Sequence, residues 1–140
     1  MKFLTANAVQ AYLPAGGTAD PLNADLTNPT SSSSGVFGGQ VLALKLNIAL
    51  SDAGATPAGL GDLVYNNPND ASDSLNGKSV RQILAIAEIA LGGGALPLGY
   101  DFATLSGLCA NLDLSWDKVL DGICQPSAWA ILYLSKPSTP

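Results

Sequence analysis

Residues 36–50 read VFGGQVLALKLNIAL, and this stretch decides the fold. Phe37, Val41, Leu44 and Ile48 recur at spacings of four and three, the period of an α-helix, while Leu42, Leu46, Ala49 and Leu50 fill the opposite side. The pattern predicts a helix buried nearly all round, at the centre of the molecule. Gln40, Asn47 and Ser51 fall on one narrow stripe of that helix. We read the stripe as a line of core-edge hydrogen bonds in preference to a ligand-facing seam.

Working outward, Thr5 is a candidate N-cap for a short helix to Leu13, closed by Pro14, Gly16 and Gly17. Asp20-Pro21-Leu22 places a cap before a proline at the first helical position, and could open one or two turns through Leu26. The polar run TNPTSSSSG, residues 27–35, is a loop. On the other side, 51–74 is dominated by loop residues, with a short extended piece at Leu63–Tyr65. Val80–Leu91 is a clear helix, with Ser79 and Gln82 at capping-box spacing and Gly92-Gly93-Gly94 as its stop. Asp101 caps a fourth helix in which Phe102, Leu105, Cys109 and Leu112 share a side, turning Cys109 inward. Ser115 is expected to cap a short fifth helix through Asp121, after which Gly122 turns the chain toward Cys124. The segment SAWAILYLS, 127–135, fits either a strand or two helical turns. The expected fold is mainly α: a compact, loop-rich single domain over 1–140, with four to five short helices around the central one at about 36–50.

Composition narrows the function classes. The 140 residues are 47% hydrophobic and only 12% charged, which excludes disorder driven by polarity and charge. No apolar run reaches the ~18 residues of a membrane span. The net charge is −5, with six Lys plus Arg. These cations form no stripe able to neutralise several phosphates, so neither nucleic acid nor insertion into a membrane is expected. Histidine is absent, which removes the commonest general base and the usual zinc ligand. The single glutamate, Glu88, is read as part of a solvated helix face beside Arg81. No cofactor or metal is expected.

Cys109 and Cys124 lie fifteen positions apart, with a helix end and a turn between them. We expect a disulfide rather than two free buried thiols, and with it an oxidising compartment. Met1–Ala15 lacks the continuous apolar core of a secretory signal. The expectation is therefore a segment excised from the interior of a longer exported protein.

Motifs that could carry chemistry have simpler readings. Gly77-Lys78-Ser79 copies the end of a phosphate-binding loop, but Ser72 occupies the place of the required upstream glycine, so a turn followed by a helix cap is the better reading. Gly92-Gly93-Gly94 follows a helix, whose dipole there repels anions. Ser115-Trp116-Asp117-Lys118 has Ser-x-x-Lys spacing without its companion motifs. Asp62, Asn66, Asn69, Asp70 and Asp73 offer oxygen ligands of the type calcium accepts, but not in the EF-hand order; Asx turns are the simpler account. Asp113, Asp117 and Asp121 recur at helical spacing and are read as a solvated acidic edge rather than a catalytic set. Tyr65, Tyr100, Trp116 and Trp129 supply the aromatics that could stack on a sugar ring.

Three stretches resemble a known module: 8–54 with its Leu13-Pro14-x-Gly16-Gly17-Thr18, Asn28-Pro29-Thr30 and Gly38-Gly39-Gln40-Val41-Leu42-Ala43-Leu44 strings; 75–99 with Gly92-Gly93-Gly94; and Leu105–Leu120. Residues 3 to about 120 are similar to an uncharacterised helical module of long secreted or surface-anchored, adhesin-like bacterial proteins. The resemblance implies an extracellular or cell-surface location and no particular activity. It does not extend to the Cys109 and Cys124 pair or to the apolar tail after Gln125.

The functional expectation is a non-enzymatic structural or interaction module of an exported bacterial surface protein, meeting other protein modules or extracellular polysaccharide. The alternative is a ligand-binding domain, for polysaccharide in the first instance, using Tyr100, Trp116 and Trp129 as stacking platforms.

Overall fold

The computed structural model describes residues 1–116 and 118–138. The fold is mainly α, as expected, and α2 (Gly35–Asp52) is its longest helix. Against α2 pack α4 (Phe102–Asp113) and α3 (Val80–Leu91). Phe37, Val41, Leu44 and Ile48 of α2, Val80, Ile83 and Ala87 of α3, and Leu105, Cys109 and Leu112 of α4 form the centre of the core. Burying side chains of this size contributes about 1.5–3 kcal/mol each for the larger ones, which is what holds three otherwise marginal helices together.

The helix boundaries follow local chemistry. The Thr5 hydroxyl accepts from Ala8 N and opens α1 (Ala6–Tyr12). Ser79 with Gln82, and Asp101 with Thr104, form reciprocal capping boxes at the starts of α3 and α4. Asn76-Gly77 is a turn, with Gly77 at φ 78°, and Ser79 is the cap that follows it. Burial of α2 is one-sided, contrary to the expectation of burial all round. Leu46 is 36% and Leu50 45% exposed, because α3 and α4 both cover the Phe37–Ile48 face.

Segment 20–26 is irregular rather than helical. Its backbone donors are spent on tertiary partners: Leu22 N donates to Leu91 O at 2.8 Å and Asn23 N to the Ser33 hydroxyl at 3.0 Å. A local helix would forfeit these bonds. The motif glycines near the start of α2 are sites of close approach. Val36 N donates to Gly17 O at 3.0 Å, and a Cβ on Gly35 would run into the Thr18 carbonyl.

The expected fifth helix is replaced by a β-hairpin. After a short 3-10 turn at Leu114–Trp116, β2 (Lys118–Leu120) pairs antiparallel with β3 (Ile123–Gln125). Asp121 and Gly122 sit between them with φ of 53° and 76°. An Asp-Gly pair with both residues left-handed is the two-residue turn whose twist suits a hairpin. Asp113, Asp117 and Asp121 therefore form no single helical edge: Asp113 ends α4, Asp121 lies in the hairpin turn, and Asp117 falls outside the described residues.

The ambiguous 127–135 segment divides. Ala128–Tyr133 is helix α5, capped by the Ser127 hydroxyl accepting from Ala130 N, and Leu134–Ser135 is strand β4. This strand pairs antiparallel with β1 (Val64–Tyr65), setting Tyr65 opposite Leu134. The β1 and β4 pairing brings α5 against the loop that follows β1, and so builds the site described next. Among the described residues, no helix is long and apolar enough to cross a membrane.

Candidate functional site

The loop after β1 is held by its own Asx side chains. Asn67 Oδ1 accepts from Asn69 N at 3.0 Å, Asp70 Oδ1 from Ser72 N at 2.9 Å, and Asp73 Oδ1 from Leu75 N at 2.9 Å. Asp73 is the hub. Its Oδ2 also accepts from Asn67 Nδ2 at 3.0 Å and the Tyr65 hydroxyl at 3.0 Å, and the Tyr100 hydroxyl donates to both of its oxygens. Burial pulls the Asp73 carboxyl upward, but the bonds from Leu75 N, Asn67, Tyr100 and Tyr65 outweigh it and hold the group below the usual carboxylate value. The phenols respond in the opposite sense. Burial, reinforced by Asp73, pushes Tyr65 up to about 12 and Tyr100 higher still.

Beside this loop stands an aromatic wall. Trp129 and Tyr133 lie one turn apart on α5, with ring centroids 4.7 Å apart and planes 9° from parallel. Tyr65 lies 6.3 Å from Trp129 and 6.1 Å from Tyr133, at 22° and 18°. Asn69 Nδ2 donates to the Tyr133 hydroxyl at 2.8 Å, tying the wall to the loop. Wall and loop enclose a groove of about 690 Å³, which Tyr100, Asp70 and Asn111 also line. One side is thus aromatic and the other is rich in amide, hydroxyl and carboxylate groups.

Of the three aromatics expected to bind ligand, Tyr100 and Trp129 meet in this groove. Trp116 does not. It lines a separate cleft of about 330 Å³ together with Asn47, Asp113 and Cys124. Tyr133, Asp73 and Asn111 line the groove without having been expected to bind ligand: Tyr133 lies in the ambiguous 127–135 segment, Asp73 is one acid among several, and Asn111 carries no signal. The i,i+4 spacing of Trp129 and Tyr133 was the signal for a shared helix face.

The expected Cys109–Cys124 disulfide is not formed; both thiols are free. Cys109 is 0% exposed on the core face of α4, whereas Cys124 lies half-buried on β3, opposite Val119, where it lines the second cleft. The hairpin that replaces the fifth helix carries Cys124 to this rim instead of into the core. Burial, with Asp113 adding to it, pushes the Cys109 thiol up to about 12, as expected for an inert buried thiol.

The remaining candidates resolve into structure. The Ser115 hydroxyl is fully buried and donates to Asn111 O at 2.9 Å; Asp117 of its tetrad lies outside the described residues. The polar stripe on α2 is bonded at two of its three members. Ser51 donates to Pro57 O at 2.8 Å and accepts from Leu60 N at 3.1 Å, and Asn47 Nδ2 donates to Asp113 Oδ1 at 3.3 Å. Glu88 pairs with Lys45 across helices, and Arg81 instead clasps Asp52 through two bonds of 2.9 Å. Among the described residues, no group of three or more Asp, Glu or Cys is arranged to hold a metal ion.

These features define a small helical domain with an aromatic-walled groove. No protein-family model, curated protein or solved structure matches the chain.

Proposed function

We propose that this chain is a non-catalytic binding module whose groove between α5 and the 66–76 loop takes a carbohydrate. The observation that carries the reading is the near-parallel set of Tyr65, Trp129 and Tyr133 facing a polar loop in one groove. Sugar rings present apolar C–H faces to aromatic rings and hydroxyls to amide and carboxylate groups, so a π-wall beside Asp70 and Asn111 suits both. Asp73 is already saturated by donors and acts here as a brace for Tyr65 and Tyr100 rather than as an acid or base. Placement in an exported bacterial surface protein rests on the sequence resemblance alone, since the free cysteines withdraw the oxidising-compartment argument.

A second reading, a module that meets other proteins, is favoured by exposed apolar side chains on the hairpin and α5. Val119, Ile123, Ile131 and Leu132 are 63%, 62%, 67% and 67% exposed.

A glycan array followed by NMR titration separates the two. Carbohydrate binding that moves the Trp129 indole signal, is lost in Trp129→Ala and survives in Trp116→Ala supports the groove. Trp129→Phe, which keeps a ring in the wall, should retain part of the affinity and guards against loss of fold. Absence of binding across the array, or binding indifferent to Trp129, removes the carbohydrate reading and leaves the protein-interaction one.

A further inference from the structure

The second cleft, separate from the groove, holds a carboxyl group with an unusual situation. Asn47 Nδ2 donates to Asp113 Oδ1, while Oδ2 is buried and has no hydrogen-bond partner among the described residues. A buried carboxyl oxygen left unpaired is costly, so such a group calls for an occupant that satisfies it. The torsion that swaps the two carboxyl oxygens is soft, so either can turn toward the cleft. Pro57, Leu60, Leu112 and Leu114 make the cleft largely apolar, and Trp116 adds an aromatic face.

We propose that this cleft is a binding site for a small primary alkylamine, its ammonium paired with Asp113 and its alkyl arm against Leu60, Leu112 and Trp116. Several observations favour an organic cation. Asp113 is the charged group among the described lining residues, which include no Lys or Arg to receive an anion. An ammonium has three donors, which can serve Asp113, the Asn47 carbonyl and the Thr56 hydroxyl together, and its charge is favoured by the aromatic face. The whole chain carries −5, which steers cations toward it.

Binding has a proton signature. Burial pushes the Asp113 carboxyl up to about 8, with the Asn47 bond opposing, so the empty site is mainly protonated at pH 6.5. Among the described residues, the titratable groups facing it are Cys124 from β3 and Cys109 one turn back on α4, whose thiol burial pushes up to about 12. An ammonium entering the site displaces the Asp113 proton to the buffer; the amine keeps its own, and no covalent bond forms. Charge therefore balances as one cation in and one proton out.

The test is calorimetry with n-butylamine at pH 6.5 in two buffers of different ionisation enthalpy, with n-butanol and butyrate as isosteres. We expect saturable amine binding with close to one proton released, and affinity at least ~10-fold weaker for either isostere, the value of a charge-assisted bond. In Asp113→Asn, amine affinity should fall by ~10-fold or more and proton release should vanish. The wild-type proton count does not depend on the variant's folding. Butanol binding as tightly as butylamine, an amine isotherm without proton release, or no saturable binding would each overturn the proposal.

Discussion

Tyr100 donates its hydroxyl to both oxygens of Asp73, at 3.0 and 2.9 Å, across a separation of 27 residues. This bond pins the start of α4 to the 66–76 loop, and with the Tyr65 bond it sets the floor of the aromatic groove. Removing Asp73 strands two part-buried phenols as well as an Asn amide and a backbone N–H.

Asp73→Ala should therefore destabilise the chain by on the order of 2 kcal/mol, and Tyr100→Phe by about 1 kcal/mol, read as midpoint shifts in urea unfolding. The folded-state value of Asp73 is depressed, so its contribution is present above the ordinary carboxylate value and is lost as pH falls through the lowered one. The difference between wild type and Asp73→Ala should shrink on acidification below about pH 4. A difference that stays constant down to pH 2 would count against the hub.

Asp113 has the opposite sign. Its value rises from 3.8 to about 8 on folding, so between these limits the folded chain holds a proton that the unfolded chain has released. Its contribution is complete below 3.8 and declines as pH rises through about 8. Stability measured from pH 5 to pH 8 should fall with a slope of up to ~1.4 kcal/mol per pH unit, and Asp113→Asn should flatten that slope.

The two thiols should behave differently. In the native protein a thiol reagent should modify Cys124 readily and Cys109 only on unfolding, because Cys109 is 0% exposed with a raised pKa. The intact mass should be the same with and without reductant. A mass lower by two hydrogens before reduction, or equal labelling rates at the two sites, would contradict the free-thiol arrangement.

Two glycines provide a paired test of the backbone. Gly35 sits at φ 54° with Thr18 O where a Cβ would go, so Gly35→Ala should cost roughly 3 kcal/mol. Gly107 lies within α4 with open space around it, so Gly107→Ala should stabilise by about 0.5–1 kcal/mol. Thermal melts of the two variants should move in opposite directions.

What residues 1–140 determine by themselves is local. The period of Phe37, Val41, Leu44 and Ile48 predicts α2, and the side chains of Thr5, Ser79 and Asp101 mark helix starts that the structure confirms, because a cap acts within three residues of itself. Asp121-Gly122 carries a hairpin signal of the same short range, which the expectation of a helix through Asp121 passes over. Tertiary structure alone decides the rest. Segment 20–26 abandons its local helix because Leu22 N finds Leu91 O, a partner 69 positions away. Trp129, Tyr65 and Tyr100 share a groove because β4 pairs with β1 and Asp73 receives both phenols, while Trp116 and Cys124 are carried to another cleft. Such meetings depend on which faces the core buries together, and spacing along the chain encodes only the faces, not which of them come into contact.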